Sequence, residues 1–94
     1  MKNKLIETEG QLNLSFYCPG CKCHHGIASR KYKLHTGPVW DWNGSMCRPT
    51  FSPSLRVQRG IGIVCHSFIK DGFIQYLNDC THELSGKTVE IPDV

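Results

Sequence analysis

A Cys-Pro-Gly-Cys step at residues 18–21 constrains this chain more than any other feature. Two thiols at C-x-x-C spacing on a tight Pro-Gly turn emerge on one side, where they can share one ion. The run continues as Cys23-His24-His25, and a second group lies far downstream, Cys65-His66 and then Asp79-Cys80-Thr81-His82. A pair of ligands from each end of the chain closes a tetrahedral site, for which Zn²⁺ is the usual occupant. The other use of six cysteines, three disulfides, needs an oxidising compartment and normally a secretory signal. The N-terminal segment is polar and charged, and no stretch of about 18 apolar residues occurs that would span a membrane. The expectation is therefore a cytosolic protein with reduced thiols on metal and no membrane contact.

Ninety-four residues make one domain with a modest core, to whose stability a metal contributes noticeably. We take 1–94 as a single zinc-binding domain, with 1–10 as a loose leader or first edge strand. Leu12, Leu14 and Phe16 alternate with Asn13, Ser15 and Tyr17, the period of a half-buried strand that delivers the chain to Cys18. Residues 26–29 read as a short return strand and 30–38 as a loop. Val39-Trp40-Asp41-Trp42 alternates and is followed by the turn signal Asn43-Gly44. Pro49 and Pro53, four residues apart, rule out a central strand and a helix interior, so 48–54 reads as an edge strand or extended crossover into Leu55-Arg56-Val57.

The clearest strand pair is 63–70 with 73–78, joined at Asp71-Gly72. A two-residue loop there sets Lys70 opposite Phe73. By extension Cys65 faces Asn78, and Ile63 faces Cys80. Cys65 and Cys80 then share a face as diagonal neighbours about 7–8 Å apart. His66 and Asp79 are diagonal neighbours on the opposite face, with Phe68, Phe73 and Gln75. A helical turn over 81–85 and a last strand over 88–91 complete a mainly β fold: a small antiparallel zinc-stabilised domain of about six short strands.

The expected metal ligands are Cys18, Cys21, Cys65 and Cys80. His25, His66 and His82 form a second rank that replaces or completes the set. Cys23 and Cys47 have no evident partner, and His24 and His35 read as exposed loop residues. Asp79 beside His66 reads as a carboxylate holding an imidazole by a hydrogen bond, in a structural or general-base role. Thr50, Ser52 and Ser54 lie between or next to prolines and present hydroxyls to a ligand or cap the loop. Trp40 and Trp42 share a face, as core and rim or as a stacking platform. None of the familiar phosphate-loop, dinucleotide, metalloprotease or G-x-S-x-G signatures is present.

Taken in order, Cys18-Pro19-Gly20-Cys21 with His25, Trp42-Asn43-Gly44, Pro49 to Leu55, Cys65 to Ile69, and Asp79-Cys80-Thr81-His82 with Gly86 and Pro92 resemble an uncharacterised family of small phage and prophage proteins. That family is often labelled ammonia monooxygenase, although ammonia oxidation is copper and membrane chemistry. The resemblance runs from about residue 16 to 93. It implies a phage accessory protein acting in the bacterial cytoplasm by binding host or defence machinery.

Three functional readings follow. The first is a binding module on a host protein, held in shape by a closed four-ligand zinc site. The second is a zinc-dependent hydrolase in which His25, His66 and His82 make an open site and Asp79 orients a histidine or acts as base. The third is nucleic-acid binding through Trp40, Trp42, Arg30, Lys31 and Lys33; the net charge of +3 permits this without arguing for it. The sequence assigns no small-molecule substrate.

Overall fold

The computed structural model describes residues 2–7, 14–29, 39–58 and 60–94. Their strands are β1 (Ile6–Glu7), β2 (Leu14–Cys18), β3 (Cys23–Ile27), β4 (Asp41–Trp42), β5 (Phe51–Gln58), β6 (Val64–Lys70), β7 (Phe73–Tyr76) and β8 (Thr88–Glu90). They form two antiparallel sheets, β1-β2-β3 and β4-β5-β6-β7-β8. No described residue is helical. The mainly β expectation holds, with more and shorter strands than periodicity alone suggests.

Alternation builds the core. Leu14, Phe16 and Cys18 of β2 and Ile27 of β3 are buried from the small sheet. Phe51, Leu55, Cys65, Ile69, Ile74 and Tyr76 are buried from the large one, and all belong to one apolar cluster. Beyond the ends of β3 and β4, Ser29 and Trp40 form an isolated parallel bridge, where Trp40 N–H donates to Ala28 O (2.9 Å).

The β6–β7 hairpin has the expected register, Lys70↔Phe73 through Ser67↔Tyr76. Asp71 (φ 51°) and Gly72 (φ 82°) both take the positive φ that a tight two-residue loop requires. Gly72 is also hemmed in by Lys4 Cε and the Cys47 carbonyl, so a side chain there meets neighbours as well as strain. The ladder ends earlier than expected. Leu77 N–H still reaches His66 O (2.9 Å), but Cys80 N–H then turns back to Leu77 O (3.2 Å). Beyond residue 77 the face assignments of an ideal strand no longer apply. Residues 83–86 are successive turns rather than the expected helical turn, with Gly86 at φ 77°.

The proline-bounded segment is the main departure. Pro53 lies inside β5, and β5 is flanked by β4 and β6 rather than at an edge. Two facts reconcile this with the missing N–H of proline. β4 pairs only with Phe51 and Ser52. The β5–β6 register also slips between Phe51↔Ile69 and Leu55↔Ser67, so residues 52–54 stand opposite Phe68 alone. Pro53 falls within this bulge, where no ladder bond is asked of it.

The N-terminal residues are fastened to the C-terminal ones. Lys4 Nζ donates to Glu90 Oε2 (2.7 Å), the Ile91 carbonyl (2.7 Å) and Asp93 Oδ1 (3.0 Å). Leu5 is 1% exposed. Lys4→Ala strands the Ile91 carbonyl and removes two charge-assisted bonds. It is expected to cost about 1–3 kcal/mol and to lower Tm by at least about 4 °C. A thermal melt followed by circular dichroism reads this, and an unchanged Tm would show that the ammonium contributes nothing net.

Candidate functional site

Strand β6 carries two clusters back to back. Its inward residues are Cys65, Ser67 and Ile69; outward, Val64 and His66 are half-buried and Phe68 is exposed. Because side chains alternate, neighbouring residues Cys65 and His66 serve opposite faces.

On the inner side, ligand atoms of Cys18, Cys21, Cys65 and His82 all lie within 4.8 Å of one another. Strand β2 and the Pro19-Gly20 turn supply the first two thiols, β6 the third, and the 78–86 turns the imidazole. All six cysteines are free. Cys18 Sγ lies 3.8 Å from Cys65 Sγ and accepts from the Tyr76 hydroxyl (3.0 Å) and from Cys21 N–H (3.4 Å). The Cys65 contact foremost, against the cost of burial and with help from His25, Tyr76 and the Cys21 amide, pulls the Cys18 pKa far below the ordinary thiol range. The same contact, with burial, pushes Cys65 up, and burial, with the hydrogen bond to Cys18, pushes Tyr76 up. The cluster thus favours negative charge on one sulfur, Cys18, while burial pushes Cys21 up as it does Cys65; a cation among them would supply the charge that ionises all three. Nε2 of His82 is buried with no hydrogen-bond partner among the described residues. Three sulfurs and one orphaned imidazole nitrogen suit a tetrahedral thiophilic ion.

This cluster includes three of the four expected ligands and draws its fourth from the second rank. Cys80 is buried but stands outside it. Its sulfur accepts from His66 N–H (3.2 Å) and donates to His66 O (3.1 Å). The diagonal pairing of Cys65 with Cys80 assumed that the strand continues; the reversal at Leu77 spends Cys80 on the β6 backbone and brings His82 inward instead. Gly20 makes room for it, since a Cβ there would overlap the His82 ring. His25 is buried edge-on against Phe16 (5.6 Å between ring centres) and is not in the cluster. Tyr76 is a participant that motif reading missed. It donates to Cys18, accepts from Gly20 N–H (3.1 Å) and packs perpendicular to His82 at 4.5 Å. Its signal was the hairpin register, which puts residue 76 on the same face as Cys65.

On the outer side three side chains form a hydrogen-bonded line. Ser54 Oγ is 3.0 Å from His66 Nε2, and His66 Nδ1 is 3.0 Å from Asp79 Oδ2. An ionised carboxylate only accepts, so Asp79 sets the tautomer: Nδ1 carries the proton, and Nε2 is left to accept from the Ser54 hydroxyl. That is the wiring of a serine nucleophile with its general base and the group that orients the base. The β5 bulge places Ser54 in this line, and the Trp40 indole N–H steadies it by donating to the Ser54 carbonyl (3.2 Å). The His66 and Asp79 side chains are 24% and 54% exposed, so the line lies open to a large substrate.

The sequence signalled the His66–Asp79 contact and singled out Ser54 as a hydroxyl, but not their union. The order Ser…His…Asp, without a G-x-S-x-G elbow, matches none of the familiar arrangements. His66 is not with the thiols, so the open zinc site of His25, His66 and His82 is not assembled. Trp40 and Trp42 pack against the core, and their indole N–H groups donate to the Ser54 and Ser45 carbonyls. Arg30, Lys31, Lys33 and His35 lie outside the described residues. No described helix is long and apolar enough to cross a membrane.

No curated protein and no solved structure matches the chain. A family profile does match, over residues 2–77, and its description is BubE, bacterial ubiquitination-like system serine protease. A phage origin has no counterpart in that description. The matched segment contains Ser54, His66 and three of the four clustered ligands; Asp79 and His82 follow just beyond it. Because the match covers most of its length, this chain belongs to the BubE family of bacterial ubiquitination-like systems.

Proposed function

We propose that the protein is a serine hydrolase that cleaves peptide or isopeptide bonds within a ubiquitin-like modification system. The observation that carries this reading is the line Ser54–His66–Asp79, with both links at 3.0 Å. Ser54 Oγ attacks the scissile carbonyl carbon while His66 Nε2 takes its proton. The imidazolium gives that proton to the leaving amine as the carbon–nitrogen bond breaks, and an acyl ester remains on Ser54. Water then attacks the ester with His66 as base, the acid product leaves, and the serine hydroxyl is restored. Asp79 stays ionised throughout, holding the ring and balancing its charge. The partner is a protein, the ubiquitin-like modifier or its conjugate. This narrows the expectation of a cytoplasmic host-protein partner and of a role in defence machinery, and it replaces zinc hydrolysis with serine chemistry.

In the same reading Cys18, Cys21, Cys65 and His82 hold a structural Zn²⁺. A closed four-ligand shell leaves no position for a substrate or water. Its role is to lock the turns and β6, and through β6 the backbone of His66.

Ser54→Ala and His66→Ala are expected to lower peptide hydrolysis about 10³-fold or more, and Asp79→Asn roughly 10²–10⁴-fold. Mass spectrometry after treatment with a fluorophosphonate should find the adduct on Ser54, with His66→Ala labelling far more slowly. Labelling elsewhere, or full activity in Ser54→Ala, overturns the assignment.

Purified protein is expected to carry one equivalent of zinc, and chelation should unfold it, since metal binding and folding are coupled. Metal analysis of variants separates the ligands. His82→Ala and Cys65→Ala should lose the ion, while Cys80→Ala should retain it. Loss in Cys80→Ala together with retention in His82→Ala would give the fourth position to Cys80.

A further inference from the structure

The large sheet continues past the Ser54–His66–Asp79 line as an open cleft of about 490 Å³, a size typical of ligand sites. Its floor includes Phe68 and Gln75, which face each other across β6 and β7. Phe68 stands two residues beyond His66 on the same outward face, about 7 Å along the strand. Ser52, two residues before Ser54, lines the near wall. Phe68 and Phe73 are 45% and 43% exposed, two of the few large apolar side chains left in solvent. An apolar floor beside a reacting serine is what a side chain adjoining a scissile bond would fill.

The charges around this floor are unequal. Arg48 and Lys70 line the cleft, with Asp71 as the one carboxylate. Neither the Arg48 guanidinium nor the Lys70 ammonium has an ion-pair partner among the described residues. Asp71 sits in the tight hairpin loop, where its own N–H is taken by Thr50 Oγ1 (2.9 Å). Even with the Asp71 carboxylate counted, the lining keeps one positive charge in excess, and that excess beside two exposed phenyl rings favours an apolar residue with a carboxylate next to it and disfavours a basic neighbour.

Resting on the serine-hydrolase reading, we propose that this cleft is the substrate subsite and that it selects an extended peptide segment in which an acidic residue adjoins an apolar one beside the scissile bond. Phe68 and Phe73 hold the apolar side chain. Lys70 and Arg48 hold the carboxylate.

Binding to the full-length Ser54→Ala protein tests this without requiring turnover. Two probes differ in one residue: acetyl-Ala-Glu-Leu-Ala-Ala-amide and acetyl-Ala-Lys-Leu-Ala-Ala-amide. In two-dimensional NMR titrations the Glu peptide should bind at least about 5-fold tighter, about 1 kcal/mol, and should shift the amides of Phe68, Lys70 and Phe73. Lys70→Glu should reverse the preference, and Phe68→Ala should weaken both peptides. Equal affinities, no binding, or shifts confined to another surface overturn the subsite. Fluorophosphonate labelling of Ser54 in the unmutated protein is read separately. Labelling without the peptide preference sinks the subsite alone, whereas an absence of labelling sinks the serine reading.

Discussion

One strand holds both halves of this protein together. Cys65 and His66 are consecutive residues of β6, and alternation sends the first into the thiol–imidazole cluster and the second to the surface line with Ser54 and Asp79. The same arrangement recurs at the other contact with β6. Asp79 reaches His66 from outside, Cys80 grips the His66 backbone through N–H and C=O, and His82 turns in to the cluster. Four consecutive residues, 79–82, thus tie the outer line to the inner cluster. A small chain with a modest core has few other ways to hold a histidine and a carboxylate in register.

Ser54 is placed by different means. Ser54 comes from the bulged part of β5, where three residues oppose one and Pro53 breaks the ladder. Bulges re-aim side chains and are found near functional sites. Here the bulge turns a strand residue toward a histidine on the next strand, and Trp40 supports the main chain from behind. The hydrogen-bonded line is open rather than sunk in a groove, with Asp79 half exposed.

Much of the fold could be read from residue order because it depends on local rules. The Asp71-Gly72 loop sets the β6–β7 register through its positive φ values, and that register sorts 64 to 70 and 73 to 76 into faces without any tertiary information. Cys18 and Cys21 follow from the C-x-x-C turn in the same way. The readings that failed extrapolated a local rule beyond its reach. Cys80 was paired with Cys65 on the premise that the strand runs on, but the chain reverses at Leu77. Pro53 argued against a central strand, and a bulge with little pairing on the β4 side accommodates it.

By itself, the sequence determined the β alternation, the hairpin loop, the thiols that gather into a cluster able to hold a metal ion and the proximity of His66 to Asp79, because each depends on spacing along one or two neighbouring strands. Only the tertiary structure decided that His82 rather than Cys80 completes the thiol cluster, and that Ser54 completes the line with His66. Both depend on where the backbone leaves its ideal path, at the Leu77 reversal and the β5 bulge. Periodicity describes regular backbone only, so irregularities of this kind are settled by packing against the rest of the chain.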